Sequence, residues 1–202
     1  EPAPEAFRRM YRPEDVSLRP NVPPEAAERA RRDLAGYYAH ISALDAEVGS
    51  LLATLDQAGI ADDTLFVFTS DHGDMLGSQG LQRKQHAWDE SIRVPFLLRW
   101  PARLGRDARE IDAPLNAPDL MPTLLGLCGL DIPETVQGDG FSACSRGEGP
   151  PPSDAALLAC YVPFGEYPRA RGGYEYRGLR TARHTYVRSL EGPALLFDND
   201  SD

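Results

Sequence analysis

Between Glu25 and about Ala58 the apolar residues Leu34, Tyr37, Tyr38, Ile41, Leu44, Val48, Leu51, Leu52 and Leu55 recur three and four apart. That spacing places them on one face of a helix. Pro23-Pro24-Glu25 supplies a helix start and Gly59 a stop. At about 1.5 Å per residue the helix would run near 50 Å, which suits lying along a large sheet. Asp62-Asp63 then turns the chain into a strand-forming run, Leu65 to Phe68. Helix, tight loop and strand in that order read as α/β.

Leu65 to Phe68 are apolar on both faces, the pattern of a strand in a parallel sheet covered on both sides. A polar cluster, Thr69-Ser70-Asp71-His72-Gly73-Asp74, follows at its C-terminal end, where open α/β sheets bind ligands. Asp71 offers a hard carboxylate oxygen and His72 an imidazole nitrogen, Gly73 permits a sharp turn, and Lys84 brings back a mobile cation. These groups amount to half of a metal-and-anion site. Taken alone, the Asp-His-Gly tripeptide also suits an ordinary loop in which Asp71 caps a turn and His72 is solvated.

Around this centre, residues 1–24 are rich in Pro and without periodicity, and are expected to form an extended surface segment. His86 to Arg93 is expected to be a short helix, with Glu90 and Arg93 three apart and able to pair. Val94 to Leu98 reads as a second buried strand ended by Trp100-Pro101, and residues 102–117 as loop with at most one short strand. Asp119 to Cys128 has the apolar face and the closing Gly129 of a compact helix. The Gly- and Pro-heavy stretch 136–153 reads as a boundary. Beyond it, Ala155–Tyr161, Tyr176–Ala182, His184–Arg188 and Ala194–Phe197 are strand-like runs that predict a small antiparallel sheet.

A net charge of -10 with no contiguous basic face argues against a nucleic-acid partner. It leaves room for a small anionic substrate, because a bound dication and a few placed cations reverse the local field. Of 21 basic residues only Lys84 is lysine. No apolar run is long enough to span a membrane and no basic, apolar leader opens the chain. The composition is that of a soluble chain, in the bacterial cytoplasm or in the periplasm or secreted. Cys128, Cys144 and Cys160 are too far apart for a zinc site, and their odd count defines no disulfide framework.

Several stretches, taken in order, carry a resemblance. They are Tyr37-Tyr38-Ala39 through Leu44-Asp45-Ala46-Glu47-Val48-Gly49, Phe66 through Asp74, Lys84 with Arg93-Val94-Pro95, Ala117-Pro118-Asp119-Leu120-Met121-Pro122-Thr123-Leu124, and the closing Leu195 to Asp200. Together they resemble the C-terminal half of a sulfatase, in the alkaline-phosphatase-like superfamily. The resemblance implies an α/β fold: part of a sandwich with a mostly parallel sheet and helices, followed by the small antiparallel C-terminal sheet. Residues 1–135 would be the C-terminal portion of the catalytic domain, 136–153 a linker, and 154–202 a truncated β subdomain. It also implies hydrolysis of a small-molecule or carbohydrate sulfate ester by a formylglycine and a divalent metal, usually calcium. On the matching positions it gives Asp71 and His72 as metal ligands and Lys84 as the sulfate contact. His86, two residues from Lys84, either protonates or holds substrate or, with greater weight, serves packing near the site.

The nucleophile motif Cys/Ser-x-Pro/Ala-x-Arg is absent, and Cys144-Ser145-Arg146 has its arginine at the wrong spacing, so Cys144 should be an ordinary cysteine. The acidic ligands and histidines of the family's upstream half are absent too. The expectation is therefore a fragment whose N-terminal half is missing and which is inactive alone. Two other readings stay open: a phosphonate monoester or phosphodiester hydrolase of the same superfamily, and a non-catalytic binding or structural module. Arg169, Arg171, Tyr174 and Tyr176 are candidates for substrate contacts in a loop that equally suits solvated surface.

Overall fold

The N-terminal segment is more ordered than its composition implies. In the computed structural model, which describes residues 2–165 and 167–201, a one-turn helix α1 (Glu5–Arg8) and a 3-10 turn at Pro13–Asp15 precede the long helix α2 (Ala27–Gln57). Val16 is buried with Leu34 and Ala35, and Tyr11, Leu18, Tyr38 and Leu76 pack against that cluster. Tyr11 and Ser42 share a hydroxyl hydrogen bond of 2.7 Å. The expected extended surface segment is thus a strap on α2. Its anchors, Ala3, Tyr11 and Val16, recur at no period, so a periodicity reading passes over them. Burying a side chain such as Val16 contributes about 1.5–3 kcal/mol.

Helix α2 spans 31 residues, about 46 Å. Gly59, at φ +70°, ends it in a Schellman arrangement: its N–H donates to the Asp56 carbonyl and that of Ile60 to the Leu55 carbonyl. Ala30, Leu34, Ala35 and Ala39 are its buried residues, while Ile41, Leu44 and Leu51 further along are about half exposed.

Strand β1 (Phe66–Thr69), the short helix α3 (Asp89–Ile92) and strand β2 (Phe96–Arg99) follow. β1 and β2 pair antiparallel, with Val67 opposite Leu98. The parallel, doubly covered setting expected for β1 does not describe this pair: Phe66, Val67 and Phe68 are only half-buried. Residues 70–95 carry the chain back so that β2 enters beside β1 in the opposite sense. These elements make up one compact unit, Glu1–Trp100; the second is Pro101–Asp202.

The second unit begins with α4 (Pro101–Leu104), and no strand follows in residues 102–117, where one was allowed for. Asn116 and Asp119 form a capping box ahead of α5 (Leu120–Cys128), which Gly129 closes at φ +70°. The Gly- and Pro-rich stretch 136–153 contains α6 (Ser142–Arg146) and the buried Phe141, whose N–H donates to Thr123 Oγ1 at 2.9 Å. Strands β3 (Ala155–Cys160), β4 (Tyr176–Thr181), β5 (His184–Ser189) and β6 (Gly192–Asp198) form the expected antiparallel sheet, neighbours in chain order. Tyr176, Thr185 and Val187 are buried. Leu157, Leu179, Tyr186 and Leu196 stand opposite one another across all four strands and are exposed. Among the described residues no helix is long and apolar enough to cross a membrane.

Candidate functional site

The three polar groups singled out beyond β1 converge. His72 Nδ1 lies 2.7 Å from the Gly73 carbonyl oxygen. A carbonyl only accepts, so Nδ1 carries the proton and Nε2 presents a bare lone pair. Lys84 Nζ donates to that Nε2 at 2.7 Å. Asp71 Oδ2 stands 3.4 Å from the same Nε2. With no proton between them, these two atoms do not bond each other; they are adjacent acceptors that both call for a cation. Asp71 is largely exposed and His72 is about one-third exposed, so the edge they form is open to solvent.

Asp71 and His72 fit one side of a dication's coordination sphere. Two donors at right angles, each about 2.4 Å from a metal, lie about 3.4 Å apart, which matches the observed separation. Among the described residues no cluster of three or more His, Cys, Asp or Glu side chains adds to them. Nε2 has one lone pair, so an ammonium and a metal would use it in turn.

The backbone that holds these groups is tightly constrained. Ser70 Oγ donates to the His72 carbonyl at 2.8 Å, and the His72 N–H donates to Asp71 Oδ1 at 3.0 Å. Gly73 N–H donates to the Ser91 carbonyl at 2.9 Å, and a Cβ at Gly73 would fall 2.0 Å from the Glu90 carbonyl oxygen. Here glycine is required by close approach, not by a positive φ. Gly77 does have a positive φ, +97°, and its backbone rests on the Ala30 side chain of α2. The strap reaches the same loop: Gln79 N–H donates to the Asn21 carbonyl at 2.8 Å and Arg19 to Ser78 Oγ at 3.3 Å.

Glu90 anchors this brace. Its carboxylate accepts from Asn21 Nδ2 at 2.9 Å and faces Arg19 at 3.7 Å, where pairing with Arg93 was expected. Arg93 instead faces Asp89 at 3.6 Å, one turn back on α3. A three-residue separation on a single turn does not show which carboxylate points inward, and partners some seventy residues away leave no local mark. Burial by itself would raise the Glu90 carboxyl, but hydrogen bonds from Asn21, its own backbone and Ser78, with the charge of Arg19, hold it below the ordinary value.

His86 is buried, its rings and those of Trp88 6.2 Å apart between centroids. Burial pushes its pKa down, against a backbone hydrogen bond at Gln82 and the charge of Asp74. Cys144 is buried and its thiol donates to the Phe141 carbonyl at 3.2 Å; burial raises its pKa and keeps it a thiol. In the tail loop, Arg169 pairs with Glu175, Tyr174 is exposed, and Tyr176 is buried with its hydroxyl pushed far above the usual range, chiefly by burial. Tyr176 thus faces the interior of its own unit.

Comparison with known proteins adds the following. The sulfatase family model matches residues 4–130, and that of the N-sulphoglucosamine sulphohydrolase C-terminal region matches residues 77–202. An ulvan-active sulfatase of Formosa agariphila is 42% identical over 99% of this chain and 39% of its own length. A solved structure from work on glycosaminoglycan metabolism in Bacteroides thetaiotaomicron superposes with a TM-score of 0.80 at 30% identity, over 98% of this chain and 43% of that one. The phosphonate monoester hydrolase of Agrobacterium radiobacter superposes with a TM-score of 0.82 at 25% identity, over 98% and 48%. The chain therefore spans less than half the length of each of these proteins.

Proposed function

Because the chain belongs to the sulfatase family, we propose that it is the C-terminal part of an enzyme that hydrolyses a sulfate monoester, inactive by itself, with Asp71 and His72 as metal ligands and Lys84 as the group that contacts the sulfate. The observation that carries the reading is the convergence of the three side chains, with Lys84 Nζ 2.7 Å and Asp71 Oδ2 3.4 Å from His72 Nε2. A dication held there, calcium on the family pattern, would polarise the sulfuryl oxygens when bound. The Gly73 carbonyl holds His72 in the tautomer that keeps Nε2 available. Lys84 contributes an ammonium that follows negative charge as it builds on the ester oxygens, an interaction stronger in the transition state than in the ground state. His86, buried and shifted toward its neutral form, supports the loop beside Lys84.

The 202 residues contain no Cys/Ser-x-Pro/Ala-x-Arg motif. On this reading the formylglycine and the remaining ligands belong to an N-terminal half of the family domain. Residues 1–135 then belong with that catalytic half, 136–153 connect, and 154–202 form a small β subdomain. A carbohydrate sulfate is the favoured substrate, since one relative is named for ulvan and a solved neighbour comes from glycosaminoglycan metabolism.

The likeness to a phosphonate monoester hydrolase supports a second reading, hydrolysis of a phosphonate monoester or phosphodiester. Rates of the full-length protein on one sulfate ester and one phosphodiester separate the two by their ratio. Lys84→Ala is expected to lower kcat on the preferred ester by about 10²–10³-fold. Calorimetry with calcium is expected to show binding that Asp71→Ala weakens. No affinity in the full-length protein, or none lost on that substitution, would favour a non-catalytic module.

A further inference from the structure

Asp74 stands two residues beyond His72, and its Oδ1 accepts two backbone N–H groups: that of Leu76 at 3.0 Å and that of Arg83 at 2.9 Å. Met75 N–H donates to the Arg83 carbonyl at 2.9 Å. Arg83 is therefore held at both its N–H and its C=O, and the next residue is Lys84, whose Nζ reaches His72. Among the described residues every non-glycine residue with a positive φ lies in this loop: Leu76, Gln79, Arg83 and Gln85. Such backbone costs about 1 kcal/mol or more per residue. Local preference does not maintain this shape, so the surrounding contacts must. Arg83 and Gln85 flank Lys84, so the strain is concentrated where the ammonium is aimed.

We propose that Asp74 is a positioning residue for Lys84. By tying the outgoing arm of the loop at 74–76 to the returning arm at Arg83, it sets where the ammonium stands relative to the His72 imidazole. The carboxylate acts as an acceptor at a fixed distance from the backbone, and an amide oxygen in the same place does the same work. The catalytic consequence rests on the reading of Lys84 as the ester contact; the placement itself does not.

The test uses the full-length protein labelled with 15N-lysine and freed of divalent metal by a chelator, so that His72 Nε2 is open to the ammonium, the Lys84 resonance being assigned by its loss in Lys84→Arg. In the unsubstituted protein that resonance is slowed in exchange by its bond to His72, and His72→Ala abolishes the effect. Asp74→Asn keeps the resonance, because its oxygen still accepts both N–H groups, while Asp74→Ala and Asp74→Glu lose it. In parallel, Asp74→Ala lowers kcat about 100-fold with KM changed less, and Asp74→Asn restores most of the rate, as displacement of a positioned group by about 1 Å predicts. If Asp74→Ala does not fold, the Asn and Glu variants decide, since both retain a polar side chain. A resonance that survives in Asp74→Glu overturns the proposal, and so does Asp74→Asn losing it as completely as Asp74→Ala. The resonance is read without turnover. A protein that shows it but hydrolyses no sulfate or phosphonate ester therefore supports the placement and defeats the ester-hydrolase reading alone.

Discussion

Antiparallel neighbours in the two sheets of this chain are joined in opposite ways. β4 and β5 are linked by Ala182-Arg183, and β5 and β6 by Leu190-Glu191, so the ladder sets the geometry from one strand to the next. β1 and β2 pair over four rungs, but residues 70–95 run between them, and this connection carries Asp71, His72, Lys84 and His86. It also carries every described non-glycine residue with a positive φ. A two-residue turn has no freedom left to gather functional groups. A long connection has that freedom, but no ladder holds it, so side-chain acceptors, a glycine at a close approach and a strap from the N-terminus take over the ladder's role.

The sharpest way to break this contrast is to apply the same steric change to both regions. A Cβ at Gly73 falls 2.0 Å from the Glu90 carbonyl oxygen, and one at Gly178 in β4 falls 2.4 Å from that of Tyr186. Each alanine substitution is expected to cost about 1–3 kcal/mol of stability, measured as a shift of the urea midpoint. Only Gly73→Ala displaces His72 from Lys84, and it alone is expected to lower kcat of the folded protein, by about 100-fold. An equal loss of kcat in Gly178→Ala would show that the connection holds no special place.

A smaller effect tests the strap. Glu90→Ala removes the acceptor of Asn21 and the partner of Arg19, at an expected cost of about 1–3 kcal/mol. Hydrogen exchange should quicken at the amides of residues 77–91 and stay unchanged at those of β4 to β6. Uniform loss of protection would mean that Glu90 supports global stability and not the connection in particular.

What could be read in advance follows the same division. Helix α2, helix α5 and the four strands of the small sheet declare themselves through spacing, caps and turn residues, all of which are local. That Asp71 and His72 would stand together just past β1 was legible because a strand end followed by ligand-type residues is a local pattern as well. The strap escaped because Val16 and Tyr11 are single anchors in an aperiodic, Pro-rich run. Glu90 was assigned to Arg93 because its true partners, Asn21 and Arg19, are distant in sequence. The antiparallel sense of β1 and β2 and the positive φ at Leu76, Gln79, Arg83 and Gln85 depend on how the connection is held, which residue preference does not report.

The smallest expected effect is one of pH, and it separates the two regions without any substitution. The folded value of His86 lies below the ordinary 6.5, with burial as the main cause. The unfolded chain therefore takes up this proton first on acidification. The stability associated with neutral His86 is present above about pH 6.5 and is lost as the pH falls toward the folded value. Glu90 lies below its ordinary 4.5, so its contribution is present above that pH and is lost as the pH falls further. In the sheet, Cys160 and Tyr176 are shifted upward by burial and titrate only in base, while Asp198, held down by Arg183, acts only below its ordinary 3.8. Between about pH 6.5 and 4.5 the connection should therefore lose hydrogen-exchange protection while β4 to β6 keep theirs, and His86→Gln should flatten this first stage. Parallel loss in both regions over that interval would mean that the connection and the sheet open as one unit, and the contrast between them would not extend to their stability.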